Sequence, residues 1–284
     1  MFKSYLSLTK PGIIFGNVIT AIGGFFLAAK GNIDIGLLLA TLVGLSFVIA
    51  SACVFNNYID RDIDIKMKRT KNRALVKHII SGRNAIIFAN LLGIVGAFTL
   101  YFFTNLLTLF IALLGFFFYV VVYGIGKRKS VYGTIIGSIS GAIPPVVGYC
   151  AVTNQLDLGA LIIFMILVFW QMPHFYAIAL YRSEEYKAAG IPVLPLVEGI
   201  QRTKIHMKLY ILGFLIAVSA LTAFHYTGYI YLIIVGGLGL VWFGMAMQGF
   251  ALKDSNPWAR KMFFFSLILI MAFSLLMPIG TMLP

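Results

Sequence analysis

The chain has 284 residues, 61% apolar and 11% charged, where a soluble domain carries roughly 45–50% and about 25%. That composition excludes a soluble globular protein, a disordered chain and a coiled coil, and 28 glycines with 25 phenylalanines in no short repeat exclude fibrous classes. The excess of 22 Lys and Arg over 9 Asp and Glu suggests a nucleic-acid partner only until its placement along the chain is read.

Nine uncharged apolar runs approach or exceed the ~20 residues that cross a ~30 Å hydrocarbon layer: 13–29, 35–55, 85–103, 106–125, 134–153, 158–180, 209–225, 229–250 and 262–282. Bare backbone in lipid has no partner but its own, and the alternation of barrel strands is absent, so each run is expected to be a helix. The fold class is an all-α, polytopic bundle of nine transmembrane helices forming one domain, 1–284. No A-x-A-like site follows Ala29, so the first span reads as a retained helix rather than a signal peptide. With the N-terminus in the cytoplasm, 21 of the 22 Lys and Arg fall in cytoplasmic segments, only Lys30 lies outside, and the C-terminus is outside. The net charge of +13 is then a topology signal with attraction to anionic lipid headgroups, and nucleic acid is not implied.

Cys53 and Cys150 stand alone inside spans and read as packing residues. Gly133, Gly137 and Gly141 share a face of the fifth helix, which admits a neighbouring helix or a closely approaching substrate. The long cytoplasmic loops 56–83 and 181–208 follow the second and sixth helices, an offset of four that suggests two four-helix halves plus one helix.

Continuing the second helix, Asn56-Asn57-Tyr58-Ile59-Asp60-Arg61-Asp62-Ile63-Asp64 would align Asn56, Asp60 and Asp64 at i, i+4 and i+8, with Asp62 pointing elsewhere. Two carboxylates one turn apart repel unless a cation lies between them, and hard oxygen ligands suit Mg²⁺ completed by substrate phosphate. The alternative is a solvated acidic patch; position at the membrane boundary favours the metal site. Glu184-Glu185, after the sixth helix, is either a solvated pair or the holder of a second Mg²⁺ across a diphosphate. Lys10, Arg69, Arg73 and Lys127 are candidate phosphate cations or membrane anchors, Arg69 and Arg73 being the pair that follows the acidic motif. His174, about 10 Å inside the sixth helix from its end, either satisfies backbone freed by Pro173 or acts as proton acceptor or porphyrin contact. His206 and His225 read as structural.

Asn56-x3-Asp60-x3-Asp64 resembles the first aspartate-rich motif of the UbiA superfamily of intramembrane aromatic prenyltransferases. The resemblance continues through Thr9-Lys10-Pro11-Gly12, Arg69-Thr70-Lys71-Asn72-Arg73, Lys127-Arg128, Gly141-Ala142-Ile143-Pro144-Pro145, Pro173-His174-Phe175, and Tyr181-Arg182 to Gly190-Ile191-Pro192-Val193-Leu194-Pro195. In place of the second D-x-x-x-D of many members stands Glu184-Glu185, within a Tyr-Arg-x-acidic-acidic-Tyr pattern that favours the haem-directed branch over quinone precursors. The resemblance implies a central cavity opening to lipid and cytoplasm, and Mg²⁺-dependent transfer of farnesyl from farnesyl diphosphate to a vinyl group of haem B. It implies a bacterial-type inner membrane as location. Expected partners are farnesyl diphosphate, haem B, membrane lipid and haem-handling or oxidase-assembly proteins. The implied metal set is Asn56, Asp60, Asp64, Glu184 and Glu185; Asp60, Asp64 and His174 are the catalytic set. Asn56, Lys10, Arg69, Arg73, Tyr123, Lys127 and Arg182 would bind substrate. Competing readings are prenyl transfer to a hydroxybenzoate or naphthoate, a transporter, and a non-catalytic membrane subunit.

Overall fold

The computed structural model describes residues 1–252 and 254–280, so Lys253, the end of the ninth run at 282 and the C-terminus lie outside the described residues. Among the described residues there is no strand, and nine helices are long and apolar enough to cross a membrane. They are α1 (Pro11–Ala29), α2 (Ile35–Ile59), α3 (Gly82–Phe103), α4 (Leu106–Lys129), α5 (Gly133–Thr153), α6 (Leu158–Tyr181), α7 (Ile200–Ala223), α8 (Tyr229–Ala251) and α9 (Ser255–Pro278). The protein is an integral membrane protein.

Helix starts are set by side chains that accept the orphan N–H groups of a first turn. Asp34, Ser81, Asn105 and Asp157 take the N–H of Leu37, Asn84, Thr108 and Ala160 at 2.9, 3.2, 2.8 and 3.0 Å. Helices α7 and α9 begin nine and seven residues before the apolar runs at 209 and 262. Hydropathy loses the helix wherever Arg202, Lys204, Lys208, Arg260 and Lys261 interrupt it, whereas backbone hydrogen bonding continues across them. Lys204 is nevertheless buried, its Nζ donating to Gly249 O at the end of α8 at 2.7 Å.

Packing follows the membrane rule that closeness, not apolar size, joins helices. On α3, Ala85, Ala89 and Gly96 are buried while Leu91, Ile94, Phe98 and Phe102 are more than half exposed. Main chain meets main chain where α1 lies on α5: a Cβ at Gly24 would run into Pro145 O and one at Gly148 into Ala21 O. Helix α5 is broken at Ala142, and Pro144 sits at the start of its second segment, where a missing N–H costs nothing. The neighbour pattern repeats at an offset of four: α2 packs on α3 as α6 packs on α7, α2 on α5 as α6 on α9, and α1 on α2 as α5 on α6. Helix α1 also touches both α5 and α9, closing the ring.

At the end of the bundle where α2 and α6 finish, called the basic end below, the two long loops meet. The segment after Asp64 folds back through Thr70, whose Oγ1 donates to Asp64 O at 2.8 Å. Ile63 and Met67 pack with Ala189, Tyr186 and Ile191 from the short helix Ser183–Ala189 and the turn after it.

Candidate active site

Helix α2 ends at Ile59 and a helical turn resumes at Arg61–Asp64, with Asp60 at the break (φ −89°, ψ 1°). The break does not spoil the alignment. Asp60 N–H donates to Asn56 O at 2.9 Å and Asp64 N–H to Asp60 O at 2.8 Å, so the three residues stay one turn apart. All three are buried, at 4%, 6% and 5% exposure, whereas the Asp62 side chain is 63% exposed.

Each of the three is met by a cation. Lys10, in the left-handed region at the hinge between the short helix Phe2–Leu8 and α1, donates from Nζ to Asn56 Oδ1 at 2.7 Å. Burial pushes the Lys10 ammonium down to about 8. Lys127, buried at the end of α4, bonds Asp60 Oδ2 and sits 4.8 Å over the Tyr123 ring. Arg73 Nη1 bonds Asp64 Oδ2 at 2.5 Å. Arg128 ties α4 to α2 from outside, donating to Ile59 O at 2.6 Å and gripping Asp62 through both oxygens at 2.7 and 2.8 Å. That hydrogen bonding from Arg128 holds Asp62 down at about 2, so it stays charged at neutral pH. The cations explain how two carboxylates stay buried one turn apart.

The candidates do not all converge. Arg69 is exposed and bonds no carboxylate among the described residues, lying instead within electrostatic reach of Tyr186 and Tyr123. The segment carrying Arg69 and Arg73 is a run of turns, so the two do not share a helix face. Glu184 is exposed, and Glu185 is held by Arg182 at 3.2 Å. Among the described residues no three His, Cys, Asp or Glu side chains gather around one ion position. The five-residue metal set is therefore split: Asn56, Asp60 and Asp64 on one element, Glu184 and Glu185 on another, joined by the packing of their loops. The donor chemistry still fits Mg²⁺ at the first set. Asp60 Oδ1 is sealed from solvent without a hydrogen bond, with Arg128 Nη2 3.5 Å away, and a hard oxygen with unused lone pairs suits a hard divalent cation. Glu185 Oε2 is likewise unbonded.

The wall opposite the acidic turn is aromatic. A π-helical turn, Phe118–Val122, widens α4 ahead of Tyr123. Tyr119 and Tyr123 stack there at 5.7 Å with Tyr119 adjoining Cys53, and Gly137 of α5 lies against the Tyr123 ring. The three-glycine face has three uses: Gly133 admits the Lys127 backbone, Gly137 the Tyr123 ring, and Gly141 the Gln171 side chain. Tyr119, a turn before Tyr123 in a Tyr-x3-Tyr-x3-Lys spacing, was legible in the sequence; Arg128 on Asp62 was not, because both read as loop charges.

His174 is separate. Its ring lies between Trp170 and Phe263, both 4.9 Å away, and its Nδ1 meets Ser266 Oγ of α9 at 2.7 Å, not the backbone freed by Pro173. Ser266 Oγ donates its single proton to Phe263 O at 2.6 Å, so it accepts from His174 and Nδ1 carries the hydrogen. Nε2 is then the bare nitrogen, with no hydrogen bond among the described residues. Trp170 Nε1 donates to Ser266 O at 2.9 Å, fixing the same residue from the other side.

A buried acidic turn flanked by cations, on a nine-helix membrane bundle, is the arrangement of an intramembrane enzyme site that handles an anionic group through a divalent cation. The chain belongs to the UbiA prenyltransferase family, which it matches over residues 17–268. It is 56% identical to the protoheme IX farnesyltransferase of Protochlamydia amoebophila (strain UWE25) over 98% of both chains. It is also 56% identical to that of Sodalis glossinidius (strain morsitans), over 100% of this chain and 96% of the relative. In fold it is similar to a digeranylgeranylglyceryl phosphate synthase (TM-score 0.81, 21% identity, 99% and 98% of the two chains covered). A UbiA homologue from Archaeoglobus fulgidus bound to GPP and Mg²⁺ also shares the fold (TM-score 0.70, 16% identity, 97% and 99% covered).

Proposed function

We propose that this chain transfers the farnesyl group of farnesyl diphosphate to a vinyl carbon of haem B, with Mg²⁺, at the cytoplasmic face of a bacterial-type inner membrane. The observation that carries the reading is the burial of Asn56, Asp60 and Asp64 on one face, each with its own cation. The names of the relatives at 56% identity support haem B as acceptor. Residues 1–284 act as one prenyltransferase domain, with the polar site made by the two long loops.

The costly event is breaking the allylic C–O bond, whose electron pair leaves with the diphosphate. Asn56, Asp60 and Asp64 would hold Mg²⁺, which would supply charge that lowers the energy of that leaving group. Lys10, Lys127 and Arg73, which hold those oxygens, turn to phosphate oxygens when the diphosphate arrives; Arg69 joins them from the loop. Tyr119 and Tyr123 face the allylic cation with their rings, and the apolar helices keep water from quenching it. The vinyl π electrons form the new C–C bond, and the cation left on the neighbouring carbon takes the oxygen of water. One O–H bond of that water breaks, and His174 Nε2 accepts the proton.

Purified protein incubated with haem B, farnesyl diphosphate and Mg²⁺ yields hydroxyethylfarnesyl haem by mass spectrometry of extracted haem, and EDTA abolishes it. Asp60→Ala and Asp64→Ala insert normally and give no product; turnover in either variant defeats the metal assignment. A hydroxybenzoate acceptor in the same assay stays unprenylated.

A further inference from the structure

One strip of side chains runs from the basic end into the bundle between α6 and α9 and takes no part in the acidic turn. At its outer end two guanidiniums approach the Tyr181 ring, Arg182 at 5.4 Å and Arg260 at 5.7 Å from its centroid. Tyr181 meets Phe263 at 5.9 Å, Phe263 meets His174 at 4.9 Å, and His174 stacks on Trp170. Arg182 is held by Glu185, whereas Arg260 is exposed and bonds no carboxylate among the described residues. His174 lies seven residues below Tyr181, about 10 Å along the helix. The order is thus two cations at the interface, an aromatic wall below them, and a bare ring nitrogen deeper still.

A porphyrin dicarboxylate has the same order. Two carboxylates project from one edge, a flat apolar macrocycle follows, and the vinyl groups sit at the far edge. Its carboxylates cannot enter the hydrocarbon layer without cations, and its macrocycle gains by leaving water for aromatic surface. The strip also adjoins the prenyl site. Gln171, three residues before His174, bonds Ser138 O of α5, and Gly137 beside it packs on the Tyr123 ring.

Resting on the reading of haem B as acceptor, we propose that the α6–α9 strip is the acceptor subsite. Arg260 and Arg182 bind the two propionates, Tyr181 and Phe263 face the macrocycle, and the vinyl edge points inward toward His174. Arg260 is the new specificity residue, because a membrane anchor would attract lipid headgroups without distinguishing an acid from its ester.

The test is haem binding without farnesyl diphosphate, read from the Soret band of detergent-purified full-length protein. Wild type binds haem B about a hundredfold more tightly than its dipropionate dimethyl ester, about tenfold for each arginine–propionate pair. Arg260→Gln loses about tenfold in affinity for haem B and none for the ester, and Arg260→Lys recovers most of the loss. Arg202→Gln, which removes an exposed cation paired with Glu198 on α7, changes neither affinity. Equal binding of acid and ester by wild type, or an Arg260→Gln variant that still prefers the acid as wild type does, overturns the subsite. Absence of any haem binding by wild type overturns the acceptor reading itself. Gel filtration of each variant as a single symmetric peak separates lost binding from lost folding.

Discussion

At the residue scale, burial decides which charges matter. Lys127 is buried on Asp60 and Tyr123, while the other cation near Asp60, Arg128 at 3.5 Å from Oδ1, is held by Asp62, so Lys127→Met removes the buried cation and lowers kcat by about a hundredfold or more. Asp62 is exposed and meets only Arg128, so Asp62→Asn stays within a few-fold of wild type in the same assay. Ser266 offers a finer test. Ser266→Ala removes the acceptor of the Nδ1 hydrogen, and ¹⁵N spectra of histidine-labelled protein then show the His174 ring as a mixture of tautomers. Ser266→Thr keeps the single Nδ1–H form and the wild-type pH profile; a mixed ring in wild type would remove Ser266 from the mechanism. The i, i+4, i+8 alignment is written in the sequence because helical spacing is local. The partners of those residues are not, since Lys10 reaches Asn56 across 46 positions and Lys127 reaches Asp60 across 67.

At the scale of the helices, what hydropathy shows is existence and what it hides is approach. Nine spans are visible as apolar runs, yet nothing in a run says that Gly24 and Gly148 press main chain on main chain while Gly244 faces open space. Gly148→Leu therefore destabilises the protein by about 3 kcal/mol, seen as a lower unfolding midpoint in detergent. Gly244→Ala, with no neighbour within 4 Å of its added carbon, leaves the midpoint unchanged or raises it slightly. The starts of α7 and α9 were hidden for a different reason: charged residues on a helix near an interface keep their heads in water and their stems on the bundle, so a window of hydropathy ends before the helix does. The π turn in α4 was equally invisible, because Phe118–Val122 reads as ordinary apolar helix.

For the whole molecule, charge placement predicts sidedness. Lys68→Cys and Lys187→Cys, both at exposed loop positions, react with an impermeant maleimide only in inverted vesicles, and Asn32→Cys reacts only in right-side-out ones. Labelling of the two loops from opposite sides would end the single-site reading, because their contact through Ile63, Met67 and Ala189 requires one compartment. The meeting of these loops could not be read from either alone, although their offset of four helices hinted at equivalent places in a repeated plan, which the neighbour pattern follows.

The fusion of α1 to α5 through Gly24 and Gly148 also bears on traffic. For a greasy tail to pass sideways into a bundle, two rods must part. Rods touching through peptide groups part only with wholesale displacement, whereas rods separated by methyls and rings part by rotamer changes. The seam between α1 and α5 is therefore closed to lipid-borne cargo, and the two rods shift only as one body.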